Sequence, residues 1–168
     1  SIADGNLYNA QILGIRKGEK GNPGELSGLI RYEAGNILGE ISENRKNGIF
    51  GTMEASQLKN MNLEKVPIGY KQDLKTGPAS VFCCTDGEVK EYAAEITRID
   101  LNHEDSNKSF VIQITDKELL EKTGGIVQGM SGSPVLQNGK LFGAVTHVFV
   151  QDSTSGYGIF IENMMDVA

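Results

Sequence analysis

The sequence predicts an all-β fold, and three observations support this prediction. The 168 residues include 21 glycines, and the apolar runs between those glycines are short. Two dipeptides that suit tight hairpin turns, Asp86-Gly87 and Asn138-Gly139, each lie between β-compatible runs. Many short strands joined by closely spaced turns are typical of a β-barrel or a β-sandwich.

The elements can be assigned in chain order from these apolar runs and turn signals. The run from Lys17 to Glu25 and the polar run from Gln57 to Lys65 are predicted to be loops. A short helix is predicted from Asp116 to Lys122, with Thr115 and Glu118 forming its cap and Gly124 ending it. A terminal helical turn is predicted over 163–168. Strands are predicted at 9–15, within 28–41, and at 49–52, 66–70, 79–85, 88–99, 110–115, 135–136, 140–150 and 158–161.

Composition and charge exclude several classes of function. The net charge is −6, and no basic cluster exceeds two adjacent residues, which argues against a nucleic-acid partner. The longest apolar stretches are far shorter than the ~20 residues of a membrane helix, so no membrane contact is expected from this segment. Cys83 and Cys84 are adjacent and are expected to be apolar fillers on opposite faces of a strand. No metal-ligand spacing or phosphate loop appears, and no cofactor is expected.

The length suits one domain or two small lobes that share a core. The first residues, Ser1 to Gly5, contain neither an initiating Met nor a signal peptide. The chain over residues 1–168 is therefore expected to be a fragment of a longer protein.

A turn around Ser131 has the pattern of a serine nucleophile. It reads Gly129-Met130-Ser131-Gly132-Ser133-Pro134 and is followed by a predicted hairpin. A nucleophilic serine needs an exposed hydroxyl beside backbone N–H groups that bind the developing oxyanion. Glycine before the serine allows the turn, and glycine after it leaves room for a substrate carbonyl. The same short pattern also occurs in ordinary loops.

The run resembles the nucleophile segment of chymotrypsin-like serine endopeptidases, and a longer match is more specific. The stretches 122–134, 137–140, 143–150 and 154–158 strongly resemble the stage IV sporulation protein B peptidase family, and 21–25 and 48–52 also look like that family. This resemblance implies an all-β, chymotrypsin-like double β-barrel with short helical turns, incomplete here at its N-terminus. It also implies a serine endopeptidase of sporulation signalling that cleaves specific proteins and itself.

The resemblance assigns a role to each matching residue. Ser131 is the nucleophile, and the amides of Gly129 and Ser131 form the oxyanion hole. Asp116 is the acidic member that orients a histidine; on sequence alone, a place in the first turn of a helix is the simpler interpretation. Ser133 is expected to be structural. Met130 stands where many chymotrypsin relatives carry Asp.

The general base is the point at which this chain departs from the family pattern. The catalytic histidine of the family lies just upstream of the Ala-Asp-Gly match, which is residues 3–5 here, so it is expected before Ser1. His103 lies in a charged loop and is expected to be a surface residue. Thr146 and His147 follow the nucleophile on a strand and are expected to line the substrate groove.

The expected partners are a protein or peptide substrate, together with an upstream histidine-bearing segment and PDZ domain of the same protein. The resemblance implies that the protein is secreted across the cytoplasmic membrane into the space between mother cell and forespore. It also implies a membrane anchor ahead of the peptidase domain, outside residues 1–168. The alternative is an inactive chymotrypsin-like module that binds peptides or regulates a partner. The residues upstream of Ser1 in the parent protein would discriminate the two.

Overall fold

The computed structural model describes residues 4–165 and confirms the all-β prediction. Five strands and a short helix make up the N-terminal half. Six strands and two short helices make up the C-terminal half. The elements are β1 (Gly5–Tyr8), β2 (Ala10–Arg16), β3 (Glu25–Ile30), β4 (Ile37–Arg45), β5 (Gly48–Met53), α1 (Ala55–Asn60), β6 (Gly77–Cys84), β7 (Val89–Ile99), β8 (Phe110–Ile114), α2 (Lys117–Thr123), β9 (Pro134–Gln137), β10 (Lys140–Val148), β11 (Ser155–Phe160) and α3 (Ile161–Met165).

The C-terminal half is a closed six-stranded antiparallel barrel in the order β10-β11-β8-β7-β6-β9. Its strands alternate as the pleat requires: on β7, Tyr92, Ala94 and Ile96 are buried, and the residues between them are exposed. Phe110 and Phe160 fill the interior with ring centroids 5.5 Å apart. Fully burying a side chain of this size contributes about 1.5–3 kcal/mol.

The N-terminal half consists of two small antiparallel sheets. One sheet has the order β1-β4-β5, and the other is the pair β2-β3. Its strands contribute few buried residues, and large apolar side chains such as Leu29 and Ile49 remain exposed on them. The single hydrophobic core of the described chain therefore lies in the C-terminal barrel, which is the part that carries the nucleophile turn.

Several local predictions are corrected by the fold. Residues 57–60 of the predicted 57–65 loop belong to α1, and the predicted strand at 66–70 is reduced to one bridge at Ile68. The cap of α2 is Asp116 rather than Thr115, because the Asp116 carboxylate accepts the Leu119 N–H. Four residues rather than two separate β6 from β7, since Cys84 pairs with Val89. The predicted turn at 163–168 lies partly outside the described residues, which show α3 ending at Met165.

Other local predictions are confirmed. Gly124 ends α2 with a φ of 72°, in the left-handed region that glycine adopts without strain. Asn138 and Gly139 both have positive φ angles of 50° and 72°, as a two-residue hairpin between β9 and β10 requires. Cys83 is buried, Cys84 is half-buried, and both are free thiols. Burial raises the pKa of Cys83 to about 11, so this thiol stays protonated at neutral pH and acts as core packing.

Candidate active site

The nucleophile loop, residues 124–133, connects α2 to β9 and is fixed at several points. Gly129 and Gly132 have φ angles of 101° and 89°, which an L side chain rarely adopts. Between them, Met130 is 1% exposed and packs in the barrel core. The two glycines therefore let the chain bend outward on either side of a buried anchor. This bend places Ser131 at the surface.

The Ser131 hydroxyl is exposed and directed towards β10. Its Oγ donates a hydrogen bond to the carbonyl oxygen of Thr146, at 2.9 Å. The neighbouring backbone bonds join the same two segments, since Gly132 N donates to Val145 O and Val145 N donates to Ser133 O. The position of the hydroxyl is thus set by the pairing of this loop with β10.

The two amides expected to form an oxyanion hole are without partners. Among the hydrogen bonds of residues 4–165, neither the Gly129 N–H nor the Ser131 N–H donates to another group of the chain. The amides around them are bonded, since Met130 N donates to Val127 O and Ser133 N donates to Met130 O. Unpaired backbone donors are unusual unless water or a ligand reaches them. Both residues are exposed, so these amides are available to an external oxygen.

Met130 gives the loop an apolar anchor in the barrel core. Its neighbours in the core are hydrophobic, and the Val127 N–H lies 3.5 Å from its sulfur atom. Because Met130 points into the barrel, a side chain here contributes to the same core as Phe110 and Leu119.

Replacing Met130 by aspartate is expected to destabilise the fold. The carboxylate would be buried in an apolar core without compensation, at a cost of about 3–5 kcal/mol. Urea unfolding at pH 7 measures this loss. Met130→Leu, which nearly conserves volume, should cost less than about 1.5 kcal/mol. Equal midpoints for the two variants would show that position 130 is not in the core.

A pocket of about 250 Å³ opens beside Ser131 and brings three of the predicted site residues together. Ser131, Thr146 and His147 all line it, and His147 is exposed. The remaining lining includes residues that the sequence did not single out, among them Lys46, Asn47, Gly48, Asn107 and Met164. The pocket therefore lies between the C-terminal barrel and the β4–β5 turn.

A polar network forms the boundary of this pocket. Thr146 Oγ1 donates to the Asn107 carbonyl at 2.6 Å, and the buried Asn107 side chain donates to the Lys46 carbonyl at 2.8 Å. Ser106 donates to Asn47 in the same network. Asn107 thus joins the strand that holds Ser131 to the β4–β5 turn. Sequence patterns show Asn107 only as part of a polar loop, because the packing of two distant segments around it leaves no local signal.

Asn107→Ala is expected to cost about 1–3 kcal/mol, because the Lys46 carbonyl loses its buried donor. The loss is measured by chemical denaturation. Asn102→Ala, which removes an exposed asparagine from the same loop, should change the midpoint little. An equal effect of both variants would argue against the network.

The rim of the pocket carries an ion pair between Lys46 and Asp105, at 3.2 Å. Partial burial acts to raise the pKa of Asp105. The Asn107 backbone N–H and the Lys46 ammonium outweigh this effect and lower the pKa below its ordinary value. Asp105 therefore remains ionised at neutral pH, and the pair weakens only as the pH falls through that lowered pKa.

Asp116 lies at the other end of α2 from the nucleophile loop. Its carboxylate caps the helix at the Leu119 N–H, at 3.1 Å, and also accepts the Ala93 N–H from β7, at 3.2 Å. It does not line the pocket beside Ser131, and among the described residues no hydrogen bond joins the two. The described contacts are those of a structural cap, and they do not bring Asp116 together with Ser131.

His103 and Ser133, the other two candidates from the sequence, make contacts outside the proposed catalytic chemistry. His103 accepts the Asp105 N–H through Nδ1, within its own turn. Ser133 is half-buried, and its backbone N–H and carbonyl bond Met130 and Val145. Among residues 4–165, no group of three or more His, Cys, Asp and Glu side chains is arranged to hold a metal ion. None of the described helices has the length and apolar character to cross a membrane.

One side of β10 is open beside the nucleophile. Its pairing with β9 ends at Ala144, whereas its pairing with β11 continues to Val148. In the described part of the chain, residues 147 and 148 therefore have a strand partner on one side only, and Thr146 lies at an irregularity in the pairing with β11. An extended peptide can add to such an edge by main-chain hydrogen bonds.

Comparison with known proteins identifies the family and the fold of the chain. The family described as SpoIVB peptidase S55 matches residues 1–165. The crystal structure of the Rv3671c protease from M. tuberculosis, in its active form, is similar with a TM-score of 0.55 and 15% identity. The match covers 86% of this chain and 61% of that one, so the chain spans less than two thirds of the length of this neighbour. The fold is therefore chymotrypsin-like, as predicted. No curated protein matches the chain.

Proposed function

Because the chain belongs to the SpoIVB peptidase family, we propose that it carries the nucleophile of a serine endopeptidase that works through an acyl-enzyme. One observation carries the proposal. An exposed Ser131 hydroxyl lies in a loop with two unpaired amides, those of Gly129 and Ser131, and the amides around them are bonded. Such an arrangement suits a hydroxyl that attacks a carbonyl whose oxygen becomes negative.

The proposed reaction has two steps. Ser131 Oγ forms a bond to the peptide carbonyl carbon while its proton passes to a histidine upstream of Ser1. The C–N bond then breaks, and the amine leaves with that proton. Water hydrolyses the resulting ester by the same route, which restores the Ser131 hydroxyl. In both steps the Gly129 and Ser131 amides donate to the oxyanion.

The substrate is proposed to be an extended peptide that adds to the open side of β10. Residues 146–148 would supply the main-chain bonds, and the pocket lined by Thr146 and His147 would take a side chain next to the scissile bond. The role proposed for Asp116 is to orient the histidine upstream of Ser1, and this role rests on the family resemblance. Cleavage of specific proteins and of the protein itself during sporulation signalling, outside the cytoplasmic membrane, belongs to the same proposal. So does the contribution of an upstream PDZ domain.

Covalent labelling by a fluorophosphonate probe tests the proposal. A longer form of the protein that continues upstream of Ser1 should be labelled at residue 131, as identified by mass spectrometry of the labelled peptide. The 1–168 form should react far more slowly, since it lacks the expected base. Labelling of the longer form at another serine, or no labelling in either form, would contradict the proposal.

An inactive binding module remains the second candidate, and one observation favours it. In the described chain the Ser131 hydroxyl donates to a backbone carbonyl rather than to an imidazole. If the longer form binds peptides but is not labelled and cleaves nothing, this second function is the correct one.

A further inference from the structure

We propose that the main-chain N–H of Leu26, on β3, is the positioning group that aims the Gly129 amide into the oxyanion hole. The inference rests on the proposed function, because it concerns how the same site is held in its working geometry. It also addresses a question that the sequence leaves open. Met130 stands where many chymotrypsin relatives carry Asp, and the sequence does not show what orders the loop instead.

The first step is the pairing between β3 and the nucleophile loop. Leu26 N donates to Gln128 O at 2.8 Å, and Gln128 N donates to Gly24 O at 2.8 Å. Glu25 and Gln128 therefore form a parallel bridge between the two halves of the chain. Both distances are those of well-formed hydrogen bonds.

The second step is the geometry of one peptide group. The carbonyl of Gln128 and the N–H of Gly129 belong to the same planar unit, and in a trans peptide they point in opposite directions. A hydrogen bond that holds the Gln128 carbonyl against Leu26 therefore directs the Gly129 N–H away from β3. Among the described hydrogen bonds, the Gly129 N–H is one of the two amides of this loop expected to bind the oxyanion, and it has no partner.

The same logic applies to the other donor. The Met130 carbonyl accepts the Ser133 N–H at 3.0 Å, which fixes the peptide group that carries the Ser131 N–H. This second bond closes a turn inside the loop, whereas the first comes from a strand about 100 residues earlier in the chain. Only the Gly129 donor therefore depends on the docking of the N-terminal half.

Side-chain packing supports the same assignment. A Cβ built on Gly129 would lie 3.2 Å from the Leu26 Cβ and 3.4 Å from its Cδ1, so the leucine covers that glycine. Leu26 is half-buried and packs against the barrel core. Gly129, with φ at 101°, would otherwise be among the freest residues of the loop. The contact restrains the peptide group that the hydrogen bond aims.

Further contacts hold the preceding part of the loop. Gly18 N donates to Thr123 O at 2.9 Å, and Ser153 Oγ donates to Gly124 O at 2.7 Å. Asp152, whose pKa is lowered mainly by its hydrogen bond from the Thr154 hydroxyl, organises the turn that presents Ser153. These bonds order residues 123–126, but none of them fixes the Gln128–Gly129 peptide group.

The test replaces leucine at position 26 by its α-hydroxy acid in the longer form of the protein. This ester keeps the side chain, removes the N–H donor and weakens the preceding carbonyl as an acceptor. We expect the rate constant for fluorophosphonate labelling of Ser131 to fall about 10- to 100-fold. This decrease is no larger than the decrease in rate caused by removing a whole oxyanion donor, which is about 10²–10³-fold. The same ester at Leu29, an exposed leucine on the same strand, should leave the rate within about twofold.

Two further measurements separate positioning from general destabilisation. The thermal midpoints of the two esters should agree within a few degrees. The ³¹P shift of phosphonylated Ser131, which reports hydrogen bonds to the phosphoryl oxygen, should move in the Leu26 ester and not in the Leu29 ester. Equal labelling rates and equal shifts for both esters would overturn the inference. A Ser131→Ala protein that still reacts would instead overturn the proposed function.

Discussion

Ser131→Ala in the longer form is expected to abolish peptide hydrolysis and probe labelling. The loss should be on the order of 10⁶-fold in kcat, because the acyl-enzyme cannot form without the hydroxyl. The fold should be unaffected, since within residues 4–165 the exposed Oγ makes a single hydrogen bond, to the Thr146 carbonyl. Cleavage is followed by mass spectrometry of a peptide mixture, and labelling by in-gel fluorescence.

Ser133→Ala is the matched control for this prediction. Ser133 lies two residues away in the same loop, and its described hydrogen bonds are made by backbone atoms that alanine retains. Activity is therefore expected to stay within about tenfold of the original protein. If Ser133→Ala were inactive and Ser131→Ala active, the nucleophile would have been assigned to the wrong serine.

Asp116→Asn carries the second largest expected effect and separates two roles of one side chain. If Asp116 orients the upstream histidine, as proposed, kcat should fall about 10⁴-fold, because an amide favours the wrong imidazole tautomer. Asparagine caps helices as well as aspartate does, so α2 should persist. The Leu119 N–H reaches Oδ1 of Asp116 and the Ala93 N–H reaches Oδ2. Asparagine has an acceptor oxygen at only one of these positions, so one of the two bonds is lost and stability should fall by about 1 kcal/mol.

The two effects are measured separately, by labelling kinetics and by urea unfolding. Asp116→Ala is the companion variant, because it removes the cap as well as the charge. Full activity in Asp116→Asn, with a stability loss only in Asp116→Ala, would restrict Asp116 to its structural role. The acidic partner of the histidine would then have to be sought elsewhere in the longer protein.

Local sequence signals were sufficient for turns and helix ends that depend on the backbone conformation of one or two residues. The Asn138-Gly139 turn needs two positive φ angles, and Gly124 ends α2 in the left-handed region; both requirements can be read from residue type. The helix α1 was predicted to be part of a loop. It buries no residue and has no side-chain cap, so residue type gives no local signal for it. Thr115 was predicted to cap α2, and the hydrogen bond from the Leu119 N–H to the Asp116 carboxylate shows that Asp116 is the cap instead.

By itself, the sequence determined that the chain is all-β and that the bend around Ser131 has the composition of a nucleophile turn. It also related Thr146 and His147 to that serine, because both lie on the strand of the following hairpin. Only the tertiary structure decided that Asn107 joins the pocket to the β4–β5 turn and that Leu26 holds the Gln128 carbonyl. Those contacts join segments about 60 and 100 residues apart. They arise from the closing of the barrel and the docking of β3 against it, which no local pattern of residues encodes.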